Sequence, residues 1–309
     1  MGSLARDGKT ARALGVGLAA TAGLAAAGLA LVWPRHDASV ERRWAQVCRH
    51  RYAHRGLHNV RVGVPENSLT AFELAREAGF GSELDVHLTA DGGLVVIHDS
   101  DIRRVCGREG TVEQMTLAEL TSTPLLGADE TIPSFSSVLA AYEWHEDDRE
   151  PPAPLVIEVK TANDNYARLT AAVMEELDRY NVRYVLESFD PRVLGWLRAN
   201  RPEVIRGQLS QDFVRNPSPE CSPIVCLGAT VLAGNALGRP DFVAYRFEDR
   251  NNPFVRLCVG GLGAHLVTWT IRNREDMLAS EAAGAPVIFE GFIPDRASTI
   301  DSTIDSTVD

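Results

Sequence analysis

Leu155-Val156-Ile157-Glu158-Val159 is a five-residue apolar run broken by one carboxylate. An amphipathic stretch over 164–180 follows it, and then a second short apolar run at 184–187. Short apolar runs bounded by polar turns read as strands buried on both faces. A strand, a helix-length crossover and another strand give two parallel strands. Working outward in both directions, the same rhythm places candidate strands at 51–54, 82–86, 155–159, 184–187, 205–208, 242–245, 265–270 and 287–290. Helical periodicity lies between most of them. Residues 68–77 put Leu69, Phe72 and Ala75 on one face, and 134–144 do the same with Phe135, Val138, Leu139 and Tyr142. The stretch 274–283 is similar. Strands alternating with helices in this way predict an α/β fold, a closed (β/α)8 TIM barrel rather than an open sheet. One insertion interrupts the rhythm after the second strand. Asp91-Gly92-Gly93 turns the chain into Leu94-Val95-Val96-Ile97-His98, the pattern of a hairpin. The acidic run 146–150 followed by Pro151-Pro152 reads as a solvated loop closing that excursion.

The chain has 309 residues, so one barrel of roughly 250 residues accounts for most of it. A net charge of −11 argues against a nucleic-acid partner, which needs a basic face. An acidic protein that handles phosphate must recruit a cation or place a few basic side chains locally. The five cysteines, at 48, 106, 221, 226 and 258, show no zinc-ligand spacing with nearby histidines. Cys221 and Cys226 are near enough in sequence for a small disulfide in an oxidising compartment; the reading adopted is five free, mostly buried thiols.

Residues 13–33 are uncharged and almost wholly apolar. At about 1.5 Å per helical residue the run just crosses a hydrocarbon layer of about 30 Å. Arg6, Lys9 and Arg12 precede it, and Trp33-Pro34-Arg35 closes it with an aromatic residue at the expected interface. The run is longer than a signal-peptide core and lacks a clear small-x-small cleavage site, so a single-pass N-terminal anchor is expected. Basic residues flank both sides, and charge asymmetry therefore does not orient it. A short basic N-terminus that stays cytoplasmic places the large domain on the extracytoplasmic side. The tetrapeptides Ser298-Thr299-Ile300-Asp301, Ser302-Thr303-Ile304-Asp305 and Ser306-Thr307-Val308-Asp309 carry no core-forming pattern. The expected organisation is a basic N-terminus 1–12, a transmembrane anchor 13–33, a linker 34–47, a barrel domain 48–297 and a disordered tail 298–309.

Ionisable groups gather at the strand ends, where such barrels place their chemistry. The first strand ends in His54-Arg55-Gly56. The second carries Glu83-Leu84-Asp85, whose two carboxylates alternation sends to one face. The hairpin ends in His98-Asp99, and the third strand carries Glu158-Val159-Lys160. Each piece alone is commonplace. Together they place inward charges on three consecutive strands, which is costly unless the charges are paired or bound to a cation. Glu83, Asp85 and Glu158 form a hard-oxygen set suited to Mg²⁺ or Ca²⁺, with no cysteine to favour zinc.

These motifs, taken in order with Pro65-Glu66-Asn67-Ser68, Ile132-Pro133-Ser134, Ser188-Phe189-Asp190 and Val267-Thr268-Trp269-Thr270, resemble the glycerophosphodiester phosphodiesterase family over roughly 50–295. The resemblance implies hydrolysis of glycerophosphodiesters to sn-glycerol 3-phosphate and an alcohol. It implies His54 and His98 as the general acid–base pair, Glu83, Asp85 and Glu158 as metal ligands, and Arg55 and Lys160 on the phosphate. An attack by the substrate's own glycerol hydroxyl, through a cyclic phosphate, belongs to the same expectation. Glu66 either reaches the metal or His54 or caps the first helix; Trp269 either stacks on the leaving group or fills the barrel. Two departures from the family pattern touch the alcohol pocket. Gly79-Phe80-Gly81-Ser82 replaces a Gly-Ala-Asp stretch before the second strand, and Phe289-Glu290-Gly291-Phe292-Ile293-Pro294 replaces a Thr-Asp-x-Pro ending. The alternatives are the same machinery acting on lysolipids, as in lysophospholipase D enzymes, and a barrel that binds phosphoglycerol groups without turnover.

Overall fold

The run at 155–159 is buried along its whole length between two parallel neighbours, and a strand so placed has no use for polar alternation. The computed structural model describes residues 28–29, 32–35, 38–146, 150–217 and 221–295. Its strands are β1 (Tyr52–Ala53), β2 (Gly81–Leu88), β3 (Leu94–Val96), β4 (Leu155–Val159), β5 (Tyr184–Ser188), β6 (Arg206–Ser210), β7 (Phe242–Arg246), β8 (His265–Ile271) and β9 (Val287–Phe289). Among the described residues, all but β3 pair in parallel with their neighbours. β1 bonds to both β2 and β9, which closes the barrel. β3 lies outside the ring, antiparallel to β2, as the expected hairpin.

Helix α1 (Ala38–Val47) precedes β1, and the crossover helices on the outside are α2 (Leu69–Glu77), α3 (Phe135–Tyr142), α4 (Tyr166–Leu177), α5 (Pro191–Asn200), α6 (Pro223–Thr230) and α7 (Arg274–Ala282). Short polar residues start most of them. Ser68, Ser134, Asp190, Ser222 and Asn273 each accept a hydrogen bond from a first-turn backbone N–H, a cap that stabilises a helix by about 1 kcal/mol. This accounts structurally for three of the motifs singled out in the sequence. Phe72, Phe135, Val138, Leu139, Leu169 and Leu194 from these helices fill the layer against the outward side chains of β2, β4 and β5.

Inside the ring, alternation sorts the side chains into two storeys. The lower storey is apolar and holds Tyr52, Val156, Val185, Leu209, Ala244, Val267 and Ile288. Two residues further along four of those strands the inward positions become His54, Glu158, Glu187 and Glu290. The floor therefore excludes water and the mouth carries the charge. Gly81 stands where a side chain does not fit, since a Cβ there would come within 2.5 Å of the Tyr52 ring and 2.6 Å of the Pro154 carbonyl oxygen.

The segment expected as a linker, 34–47, instead contains α1. Val40, Trp44 and Val47 recur at helical spacing, and all three are buried beneath the barrel floor. The Trp44 ring stacks on His265 at 4.5 Å and on Phe242 at 5.3 Å. Most of the expected anchor, residues 13–27 and 30–31, lies outside the described residues, as does the tail 298–309. Among the described residues no helix is long and apolar enough to cross a membrane. At the C-terminal end of that run, Val32 does not face lipid. It is buried against Leu232, Val243, Tyr245, Val255 and Cys258, and its carbonyl accepts from the Asn235 amide at 3.3 Å. All five cysteines are free thiols, so Cys221 and Cys226 form no disulfide.

Candidate active site

The first strand delivers its chemistry through a sharp turn. Arg55 and Gly56 both take the left-handed backbone conformation, with φ of 56° and 79°. A Cβ on Gly56 would lie 2.8 Å from the Ala71 backbone, so the turn against α2 needs glycine. This geometry aims the Arg55 backbone N–H at Glu83 Oε2, 3.1 Å away. It also leaves the guanidinium between Glu66 Oε1, 2.8 Å from Nη1, and Asp85 Oδ2, 3.4 Å from Nε.

Glu83 and Asp85 share one face of β2, and register sets Asp85 beside Glu158 on β4. One oxygen from each of the three buried carboxylates lies within 4.8 Å of the others. Lys160 Nζ closes the group, 3.1 Å from Asp85 Oδ1 and 2.9 Å from Glu158 Oε2. Asn67, held at φ 54°, donates its amide to Asp85 Oδ2 at 3.0 Å. Burial works against ionisation of all three acids, but their partners differ. Burial and the neighbouring Asp85 and Glu158 push the Glu83 carboxyl well above the usual range. Burial raises Glu158 as well, and with Lys160 drawing it back it settles at about 7. For Asp85 the upward push of burial is outweighed by Lys160, His98, Arg55 and the Asn67 amide, so it stays well below the ordinary value. A cluster in which only part of the carboxylate charge is tolerable fits a divalent cation. Asp85 Oδ1 is buried, with the Lys160 ammonium as its nearest partner.

Both imidazoles are backed by a carboxylate on Nδ1. His54 Nδ1 lies 3.1 Å from Glu290 Oε2, and His98 Nδ1 lies 2.6 Å from Asp99 Oδ1. On the far side of the first ring, His54 Nε2 stands 3.8 Å from Glu83 Oε2. Burial pulls the His98 imidazole below its ordinary value, with Asp85 working in the opposite direction. The His54 hydrogen bond draws the Glu290 carboxyl down to about 2 against the effect of its own partial burial.

Glu66 does not cap the helix. Its carboxylate pairs with Arg55 and with Arg104, while Ser68 caps α2. Trp269 sits in the upper storey, edge-on to Phe189 at 5.8 Å and packed on the floor cluster, so it fills the barrel while remaining partly exposed. Three contributors escaped the sequence reading. Glu290 and Glu187 each stand alone as an acid on their strands, without the paired pattern of β2. Their inward parity in the strands 287–290 and 184–187 was the available signal. Glu187 pairs in register with Glu158, and burial pushes its carboxyl well above the usual range. Arg104 belongs to the insertion, where no strand parity exists to read.

The sequence model described as the glycerophosphoryl diester phosphodiesterase family matches residues 54–296. A glycerophosphodiester phosphodiesterase of Caldanaerobacter subterraneus subsp. tengcongensis is 30% identical over 265 residues, covering 80% of this chain and 94% of its own. Among solved structures, an Oleispira antarctica phosphodiesterase in complex with the product sn-glycerol-3-phosphate superposes with a TM-score of 0.60 at 21% identity, covering 78% of this chain and 92% of its own. A glycerophosphodiester phosphodiesterase from Parabacteroides distasonis gives 0.58 at 23% identity, covering 78% and 91%. With the site motifs in order and the family match running nearly the length of the barrel, this chain belongs to the glycerophosphoryl diester phosphodiesterase family.

Proposed function

We propose that this glycerophosphodiester phosphodiesterase hydrolyses its substrate by proton transfer between two carboxylate-backed imidazoles, His54 and His98, at a divalent-cation site built by Glu83, Asp85 and Glu158. The observation that carries the reading is the pairing of each imidazole Nδ1 with an acid, Glu290 or Asp99, beside the three-carboxylate cluster. When bound, Mg²⁺ or Ca²⁺ supplies a positive charge that stabilises the phosphate oxygens as negative charge develops. Arg55 and Lys160 add charge-assisted donors to the same phosphate. One imidazole accepts the proton of the attacking hydroxyl or water at Nε2, and the other gives its proton to the departing alkoxide. The buried floor of Tyr52, Val156 and Ile288 keeps bulk water from entering below.

The substrates that fit are glycerophosphodiesters such as glycerophosphocholine and glycerophosphoethanolamine, giving sn-glycerol 3-phosphate. Incubating the full chain with each and measuring glycerol 3-phosphate tests this. His54→Ala and His98→Ala abolish release while the fold persists; wild-type turnover in His54→Ala would refute the assigned role. The same assay disposes of a merely binding barrel. An apolar groove favours lysolipids as a second substrate class. It spans about 650 Å³ beside Glu290 and is rimmed by the exposed Val60, Val62 and Ile293. The apolar run before Val32 supports single-pass anchoring and the short basic N-terminus an extracytoplasmic barrel, which membrane fractionation and protease protection test.

A further inference from the structure

His98 is not carried by the barrel itself. It follows β3 in the insertion, which has a hydrophobic core of its own made by Val95, Ile97, Ile102, Val112, Leu120 and Ile132. The other imidazole, Arg55 and the carboxylates all stand on the barrel or its first loop. Main-chain bonds tie β3 to β2, and the Ile97 N–H donates to the Asp85 carbonyl at 3.0 Å, so what remains to be set by side chains across the seam between insertion and barrel is the placement of the His98 ring. On the active-site side, Arg104 spans that seam. Its Nη1 and Nη2 donate to Glu66 Oε2 and Oε1 at 2.8 and 2.7 Å, a two-pronged grip on the loop that follows β1. Its Nε donates to Asp99 Oδ2, on the carboxylate whose other oxygen holds His98 Nδ1. Glu66 passes the grip on to Arg55 Nη1 at 2.8 Å. Behind His98, His87 Nε2 reaches the His98 carbonyl at 3.1 Å while its Nδ1 meets Glu113 at 2.9 Å, so the backbone is braced from the opposite side.

We infer that Arg104 is a positioning residue of this active site: it latches the insertion that carries His98 to the loop that carries Arg55, and fixes the Asp99 carboxylate behind the imidazole. Arg104 is 48% exposed, and ion pairs at that exposure add little to stability. The two-pronged fork is what a latch requires and what a point charge lacks. The inference rests on His98 taking part in proton transfer.

Steady-state kinetics on glycerophosphocholine and thermal melts, with the full chain and saturating divalent cation, test it in four variants. Arg104→Met lowers kcat about 10- to 100-fold, the range for removing a partner that orients an active-site ligand. KM changes by less than about threefold and Tm stays within about 2 °C of the parent. Arg104→Lys, which keeps charge without the fork, recovers part of that kcat. Arg103→Met, whose parent side chain reaches only Glu109 and Asp101 on the surface, behaves as wild type. Unchanged kcat in Arg104→Met with His98→Ala inactive overturns the latch and leaves the proposed chemistry standing. Full activity in His98→Ala overturns the chemistry itself. A fall in kcat matched by an equal loss in Arg103→Met, or by a large drop in Tm, reduces Arg104 to general packing and also overturns the inference.

Discussion

Replacing Lys160 by methionine deletes the ammonium between Asp85 and Glu158 while keeping most of the apolar stem. Lys160 is 15% exposed and its two acidic partners 1% and 7%, so the pair lies inside the barrel rather than on its rim. Removing one member of a buried pair costs about 3–5 kcal/mol, which at about 2–4 °C per kcal/mol lowers Tm by roughly 6–20 °C at pH 8 in chelator. The sign of the pH dependence follows from Glu158. Its carboxyl already sits at about 7, raised by burial, even with Lys160 beside it. Between the unfolded carboxylate range and that value the folded chain holds more protons than the unfolded one, so stability falls as pH rises. Without Lys160 the carboxyl rises further, and the decline runs on past pH 7. As pH falls from that higher value to about 7, a proton replaces the missing ammonium and the gap between variant and parent narrows by about 1.4 kcal/mol per pH unit; below about 7 both proteins hold the proton and the gap is constant. Melts of both proteins at pH 6 and pH 8 read the effect. A Tm difference equal at the two pH values, or no difference at all, refutes the account of a charge-limited cluster.

Glu290→Gln keeps a hydrogen-bonding group near His54 Nδ1 but removes the charge that steadies the protonated ring; kcat falls about 10- to 100-fold with little change in Tm, and wild-type kcat contradicts the pairing. Trp44→Ala opens the floor and destabilises the protein by about 3–5 kcal/mol in denaturant titration, and a change below about 1 kcal/mol rules out α1 as part of the barrel. The combined change Val60→Ser, Val62→Ser and Ile293→Ser raises KM for a lysolipid severalfold while sparing glycerophosphocholine, provided the groove receives an acyl chain. Equal effects on both substrates reject that role.

The barrel was legible because most of its strands are short apolar runs and most crossovers carry a helical stripe; both signals are local. The site on β1, β2 and β4 was legible for a related reason. Two ionisable groups spaced by two on one strand, as in Glu83 and Asp85 or Glu158 and Lys160, share a face wherever the strand lies. What local pattern does not encode is what closes a ring or crosses a seam. The helix 38–47 reads as a polar linker by composition, and its three buried residues make sense only beneath a floor the rest of the chain has built. Glu290 and Glu187 are single acids whose partners, His54 and Glu158, stand on other strands. Glu66 illustrates the converse. Its position before a helix suggested a cap, but Ser68 two residues on takes that bond and frees the carboxylate for the two arginines.

Calorimetric titration of the chelator-stripped full chain with Mg²⁺ and with Ca²⁺, run beside Asp85→Asn, addresses the shared-ion site most directly. The account predicts one bound ion per barrel in the parent and none at the same concentrations in the variant. Absence of binding in the parent, or undiminished binding in Asp85→Asn, contradicts it.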